Sequence, residues 1–222
     1  GKRIYDKFDS FPKQDKCPKN VYNTWKPFEI SKVPETIKDY NFGGKDFFLH
    51  HLMILCGNEK NVYDFIILWL SQMFQYPENK TLMPIFISAE GTGKGIFLEF
   101  LKTIIGESRV LETTDPLKDI FANFNGLMKN AFLVVFNESN KSNFYNQNDI
   151  NINEKGIAPQ PIKSQHRFIT FTNNAEPAAK NKRRDLFIRC SDEKINDAEY
   201  FDQLALYSKD KQVCRAIYDW LM

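Results

Sequence analysis

Apolar residues recur at helical spacing over residues 46–56 (Phe47, Phe48, Leu52, Leu55) and again over 62–74 (Phe65, Leu68, Trp69, Met73), with Gly57-Asn58 between them. This pattern predicts two packed helices, the second closed by Pro77. The pattern then changes. Met83-Pro84-Ile85-Phe86-Ile87-Ser88 is a continuous apolar run, as expected of a strand buried on both faces. Glycines follow it, and a helical stripe over 96–105 ends at Gly106. Further buried-strand runs stand at 131–136 and 167–172, with one more at 186–190. Between the first two of these, residues 151–165 alternate around Gly156-Ile157-Ala158-Pro159, which predicts a β-hairpin with a wide tip. Helical patterns return over 198–206 and 212–221. Residues 1–45 are polar and aromatic, with Pro12, Pro18, Pro27 and Pro34 spaced through them, and read as an extended lead that wraps over something larger. The expected organisation is therefore a lead over 1–45, a helical lead segment over 46–80, an α/β core over 81–190 and a helical segment over 191–222.

Composition narrows the classes. A 222-residue chain that is 42% hydrophobic can bury a full core. Thirty basic residues against 28 acidic ones leave a net charge of +2, so any contact with nucleic acid must be local rather than a property of the whole surface. Cys17, Cys56, Cys190 and Cys214 lie far apart without a paired spacing, which indicates neither a zinc site nor a disulfide framework and suits a reducing, intracellular compartment. The most apolar stretch, 65–70, is too short to span a bilayer, the start carries no secretory signal, and no membrane partner is expected. The opening Gly1-Lys2-Arg3, without a Met, reads as the start of a fragment of a longer polypeptide.

Candidate chemistry lies between the first strand and its helix. In Ser88-Ala89-Glu90-Gly91-Thr92-Gly93-Lys94, glycines let successive backbone N–H groups turn toward one point. The helix that begins at Lys94 adds its positive end, and the lysine reaches the outer phosphates of a nucleoside triphosphate. Residues 90–96 (Glu90, Gly91, Thr92, Gly93, Lys94, Gly95, Ile96) are thus the candidate ATP-binding set. The pattern G-x-x-x-x-G-K-[ST] is met incompletely, with Ser88 at its first place and Gly95, which has no hydroxyl for Mg²⁺, at its last. The strand 131–136 runs into Asn137-Glu138, where Glu138 can polarise an attacking water and Asn137 stands where an aspartate usually helps to hold magnesium. Asn173, at the end of the strand 167–172, is placed to orient water or sense the γ-phosphate. Arg183-Arg184 can supply an arginine to a neighbouring site, although a solvated basic turn has the same composition. Lys155 near the hairpin tip and Lys163, His166 and Arg167 on its return strand form a set that can track a nucleic-acid backbone.

In this order, Gly91-Thr92-Gly93-Lys94, Phe136-Asn137-Glu138, a Lys155-bearing hairpin, Thr170-Phe171-Thr172-Asn173 and Arg183-Arg184 resemble the superfamily 3 helicases of viruses and mobile elements. The likeness is nearest to the C-terminal motor of poxvirus-type primase-helicases, including giant-virus, virophage and phage relatives, and covers about residues 47–188. It implies an AAA+ type P-loop fold with a parallel sheet. By the same resemblance Lys94 and the loop bind ATP, Glu138 activates water, Asn173 is the sensor, and Arg183 or Arg184 is a finger reaching into the neighbouring subunit's ATP. Lys155 then lies at the tip of a hairpin that grips single-stranded DNA in the channel of a hexameric ring, with a primase domain attached outside this fragment.

Three departures stand beside the likeness. Gly95 and Asn137 remove the two usual protein ligands of magnesium, leaving the ion to phosphates, water and Glu138. The Asn-rich stretch 139–150 is shorter than the family's. A ring ATPase that loads or remodels replication proteins, a P-loop kinase for a small metabolite, and a nucleotide-binding scaffold without turnover all remain compatible with the same loop.

Overall fold

The computed structural model describes residues 4–34, 43–120, 126–137, 149–152, 160–173 and 185–222. In chain order its strands and helices are β1 (Lys7–Asp9), β2 (Val21–Asn23), α1 (Gly43–Leu55), α2 (Lys60–Gln75), β3 (Met83–Ile87), α3 (Lys94–Ile105), β4 (Val110–Thr113), α4 (Pro116–Asp119), β5 (Leu133–Asn137), β6 (Asp149–Ile152), β7 (Gln160–Lys163), β8 (Arg167–Thr172), β9 (Asp185–Arg189), α5 (Ala198–Lys209) and α6 (Lys211–Leu221). Every long element expected from the hydrophobic pattern is present within a few residues. Among the described residues, no helix is long and apolar enough to cross a membrane.

Five strands form one sheet in the order β4-β5-β8-β3-β9, all parallel. A parallel sheet is covered on both faces, which is why its strands read as unbroken apolar runs. Alternation along each strand then sorts side chains between two cores. Phe86, Leu133, Val135, Ile169, Phe171 and Ile188 face the larger core, beneath α1, α2, α3, α5 and α6. Ile85, Ile87, Val134, Phe136 and Phe168 face a smaller one closed by Ile120, after α4, and Met128. The α/β class and parallel sheet expected from the sequence are what the chain adopts. The edge strand β4, Val-Leu-Glu-Thr, has too little apolar content to register as a pattern and owes its place to pairing with β5.

The lead does more than wrap. Its strands β1 and β2 pair in parallel, and Phe28 and Ile30 enter the larger core outright. Arg109, just before β4, fastens it: the guanidinium lies 4.6 Å from the Trp25 ring centre and 5.2 Å from that of Phe28, and donates to the Lys26 carbonyl at 2.7 Å. Helices from the lead segment and from the carboxyl end share this core, so 46–80 and 191–222 pack as one layer over the sheet.

Two of the residues expected to meet nucleic acid lie inside the fold instead. His166 and Arg167 are 4% and 2% exposed. The hairpin is β6 paired antiparallel with β7, and the chain has left it before His166. Arg167 opens β8, the middle strand, where its Cα pairs with Leu133, so it has no route to the surface. Its Nη2 donates to the Tyr76 carbonyl at 3.0 Å and to Gln72 Oε1 at 3.3 Å, tying the sheet to the end of α2. His166 bridges the Met128 carbonyl (2.8 Å from Nε2) and the Ser164 hydroxyl (3.0 Å from Nδ1).

Burial pulls the imidazoles of His166 and of His51, on α1, down to about 4. Both are neutral when folded at neutral pH, whereas an unfolded histidine takes up a proton below about pH 6.5. Because the unfolded chain binds the extra protons, stability falls as pH drops from about 6.5 toward about 4. Each histidine is expected to cost about 2 kcal/mol at pH 5 relative to pH 7.5. Urea unfolding of His166→Gln, which keeps a donor for Met128, should show a pH-dependent loss smaller than the parent's by that amount. An unchanged difference between the two pH values would count against it.

Candidate phosphate-binding site

The C-terminal ends of β3, β5 and β8 are in step. Ile87 pairs with Thr172, and Asn137 with Phe171, so the residues that follow these strands emerge on one edge of the sheet. The order also turns at β3: the chain goes from β3 to the far edge at β4, works back through β5 and β8, and passes over β3 to β9. Crevices at such points are where open parallel sheets take their ligands.

The loop from Ser88 to Gly93 leaves β3 here and enters α3. Gly91 and Gly93 have φ of 81° and 87°, a left-handed backbone that only glycine adopts freely. Gly93 is the residue before the first turn of α3, and no side chain caps that end, so the helix presents its first N–H groups and its positive pole to whatever lies over the loop. Thr92 is buried and its Oγ1 lies 2.7 Å from Ser88 Oγ, closing the loop on itself.

Lys94 folds back across this loop. Its Nζ donates to the carbonyls of Ala89 (3.2 Å) and Ser88 (3.4 Å), to the Ser88 hydroxyl, and to Asn173 Oδ1 at 3.2 Å. The lysine and the asparagine, 79 positions apart, thus meet above the strand ends. Glu90 is exposed at the loop's turn, while Ile96 packs its side chain onto the larger core. Gly95 faces open space, since a Cβ built there has nothing within 4 Å.

Asn137 points along the edge, where its Nδ2 donates to Glu112 Oε2 at 2.9 Å. Glu112 is held in turn by Lys102 at 2.6 Å. Among the described residues no group of three or more His, Cys, Asp or Glu is arranged to hold a metal ion. The donor set suits an anion instead: backbone N–H groups, a helix start and an ammonium, the requirements of a polyphosphate. For magnesium this edge offers only a neutral amide at Asn137 and, at Gly95, no hydroxyl.

The sequence-predicted residues divide accordingly. Residues 90–95, Asn137 and Asn173 are brought to one edge, whereas the side chain of Ile96 turns to the larger core. Glu138, Lys155, Arg183 and Arg184 lie outside the described residues. Lys163 is the last residue of β7, with its Cα opposite Asp149 in the hairpin. What sequence reasoning missed is the support behind the loop. His51 Nε2 lies 3.3 Å from the Gly93 carbonyl, and its Nδ1 lies 3.1 Å from the Tyr200 hydroxyl. The available signal was position: His51 is three residues after Phe48 and four before Leu55, on the apolar stripe of its helix.

Comparison with known proteins agrees with this architecture. Residues 86–185, under half of the chain, match the model of a family of unknown function, DUF5906. A DNA primase-polymerase of Nitratiruptor phage NrS-1 is 26% identical over 174 residues, covering 70% of this chain and 22% of that protein. Two apo structures of the NrS-1 C-terminal region superpose with TM-scores of 0.73 and 0.74 at 21% and 23% identity, over 95% and 94% of this chain. The chain spans 54% and 52% of those structures, about half of each. The chain therefore shares its fold with about half of the C-terminal region of that phage protein.

Proposed function

We propose that this chain is a superfamily 3 type motor of the AAA+ class that hydrolyses ATP to unwind DNA in the replication of a viral or mobile genome. The observation that carries the reading is the meeting of Lys94 and Asn173, 3.2 Å apart at the head of a glycine loop and on the carboxyl edge of a parallel sheet. The likeness to a phage protein described as a DNA primase-polymerase supports the replication context.

In this reading the ammonium of Lys94 exchanges its loop carbonyls for the β- and γ-phosphates of ATP, whose charged oxygens are stronger acceptors. The N–H groups of the loop and of the first turn of α3 hold the same phosphates. Asn173 stays beside the γ-phosphate and orients the attacking water, and Glu138, the residue after β5, takes that water's proton. Arg183 or Arg184 of a neighbouring copy offsets the charge that develops in transfer. Phosphates, water and Glu138 would hold a magnesium ion, which would offset the charge on the phosphates. Lys155 and Lys163 of the hairpin meet single-stranded DNA in a ring of copies, six by the family resemblance, with a primase domain elsewhere in the polypeptide. The setting is intracellular, at a site of genome replication.

A second reading is supported by Asn137, whose amide is engaged by Glu112, and by the absent hydroxyl at Gly95: a domain that binds nucleotide without turning it over. Hydrolysis separates the two. ATP turnover by the purified protein is expected to rise when single-stranded DNA is added, and Lys94→Ala is expected to weaken ATP binding about ten- to a hundredfold, the loss of a charge-assisted contact. Turnover that survives Lys94→Ala at the parent rate would place the chemistry elsewhere, and binding without turnover would select the second reading.

Gly95 provides a separate test. Open space around it accommodates a serine side chain. Gly95→Ser is expected to raise magnesium-dependent hydrolysis several-fold by supplying the missing ligand, while also favouring the helix by about 0.5 kcal/mol. Hydrolysis and magnesium requirement identical to the parent's would show that this hydroxyl is not what limits the site.

A further inference from the structure

Gly93 makes two bonds through one carbonyl. Within α3 it accepts from the Phe97 N–H at 3.1 Å, the first rung of the helix. From outside, it is approached by His51 Nε2 at 3.3 Å. A carbonyl only accepts, so Nε2 must carry the proton, and in a neutral imidazole Nδ1 is then an acceptor. Its neighbour is the Tyr200 hydroxyl at 3.1 Å, which supplies the matching donor. The bonds form one directed chain, from the Tyr200 O–H to His51 and from the His51 Nε2–H to Gly93.

The two side chains of that chain are enclosed. His51 is 0% exposed, and its ring meets the ring of Phe201 edge-on at 6.1 Å. The Phe47 ring lies tilted against that of Tyr200, 4.8 Å between centres, and Lys194 Nζ lies 4.8 Å over the Tyr200 ring. The contact with the loop is close: a Cβ at Gly93 would come within 2.5 Å of His51 Cε1 and 2.7 Å of Phe201 Cε1. Helices from opposite ends of the sequence, α1 and α5, therefore converge on a single peptide unit.

That unit is the Gly93–Lys94 peptide. It is planar and trans, so its C=O and N–H point in opposite directions. Holding the Gly93 oxygen toward the protein interior aims the Lys94 N–H outward, over the loop. We propose that His51 is a positioning residue for nucleotide, which with Tyr200 holds the Gly93–Lys94 peptide so that its N–H faces the phosphates. This rests on the reading of the loop as a nucleotide site, and deepens it by assigning the interaction that sets the loop's orientation.

The test compares His51→Leu, His51→Gln and Tyr200→Phe with the parent and with Lys94→Ala. Affinity for ATP and ADP is measured by titration calorimetry, and thermal melting is followed without nucleotide. Leucine fills much of the imidazole's volume but donates nothing, and is expected to weaken both nucleotides about tenfold, the effect of one buried hydrogen bond. Glutamine keeps an N–H at similar reach and is expected to recover affinity to within about threefold of the parent. Tyr200→Phe, which leaves the aromatic packing, is expected to lose about threefold. Parent-like affinity in His51→Leu, or in Tyr200→Phe should His51→Leu fail to fold, would overturn the proposal. A glutamine variant that melts like the parent but binds as weakly as the leucine variant would overturn it too, since volume rather than the donor would then be at work. Affinity unaffected by Lys94→Ala would instead remove the nucleotide reading underneath it.

Discussion

Burying a parallel sheet on both faces is the constraint from which the other features of this chain descend. Its inner strands present mostly apolar side chains along their length, and the groups able to meet a ligand stand at the strand ends. Asn137 closes β5 and Asn173 follows β8, each immediately after a buried run. Lys94, one loop beyond β3, reaches the same edge. Chemistry and packing are thereby separated by a single residue step, and a shift of register in any strand would move a polar group into one of the cores.

Covering the larger face needs more helix than the core segment supplies. Helix α3 lies directly over the sheet, and the remaining cover comes from α1 and α2 on one side of it in sequence and α5 and α6 on the other. The lead adds Phe28, whose ring lies 5.1 Å from Phe132 and 5.3 Å from Phe74. Arg109, whose guanidinium lies over the Phe28 and Phe132 rings, gives the lead a polar anchor as well as an apolar one. Flanks that read as appendages in sequence are thus structural parts of one layer, and cannot be removed without uncovering the sheet.

Long periodic segments and apolar runs were readable because burial imposes them directly: α1, α2, α3, β3, β5 and β8 all stand where the pattern put them. The glycine loop was readable because φ values of 81° and 87° leave few residue choices. Edge strand β4 was not, since an edge strand needs few apolar side chains and is defined by its neighbour. His166 and Arg167 misled for a different reason. Charge in a sequence suggests solvent, and only the pairing of strands shows that this basic pair opens the central strand, where Tyr76, Gln72 and Met128 supply acceptors. His51 belongs to the same class, as polar residues inside a core are specified by partners remote in sequence, in its case 149 residues away.

The position of β3 bears on how the chain acquires its shape. β3 lies between β8 and β9, and Ile87 pairs with Thr172 on one side and Arg189 on the other. β3 must therefore wait for both neighbours until the chain has been made as far as Arg189. Such long-range parallel pairings close large loops before any contact rewards them, and fold slowly. During synthesis, the edges of β3 stay unpaired until β8 and β9 have been added, a period in which aggregation competes with folding. The loop that follows β3 is consequently set only after β9 has been made, and its geometry certifies that both strands flanking β3 are in place.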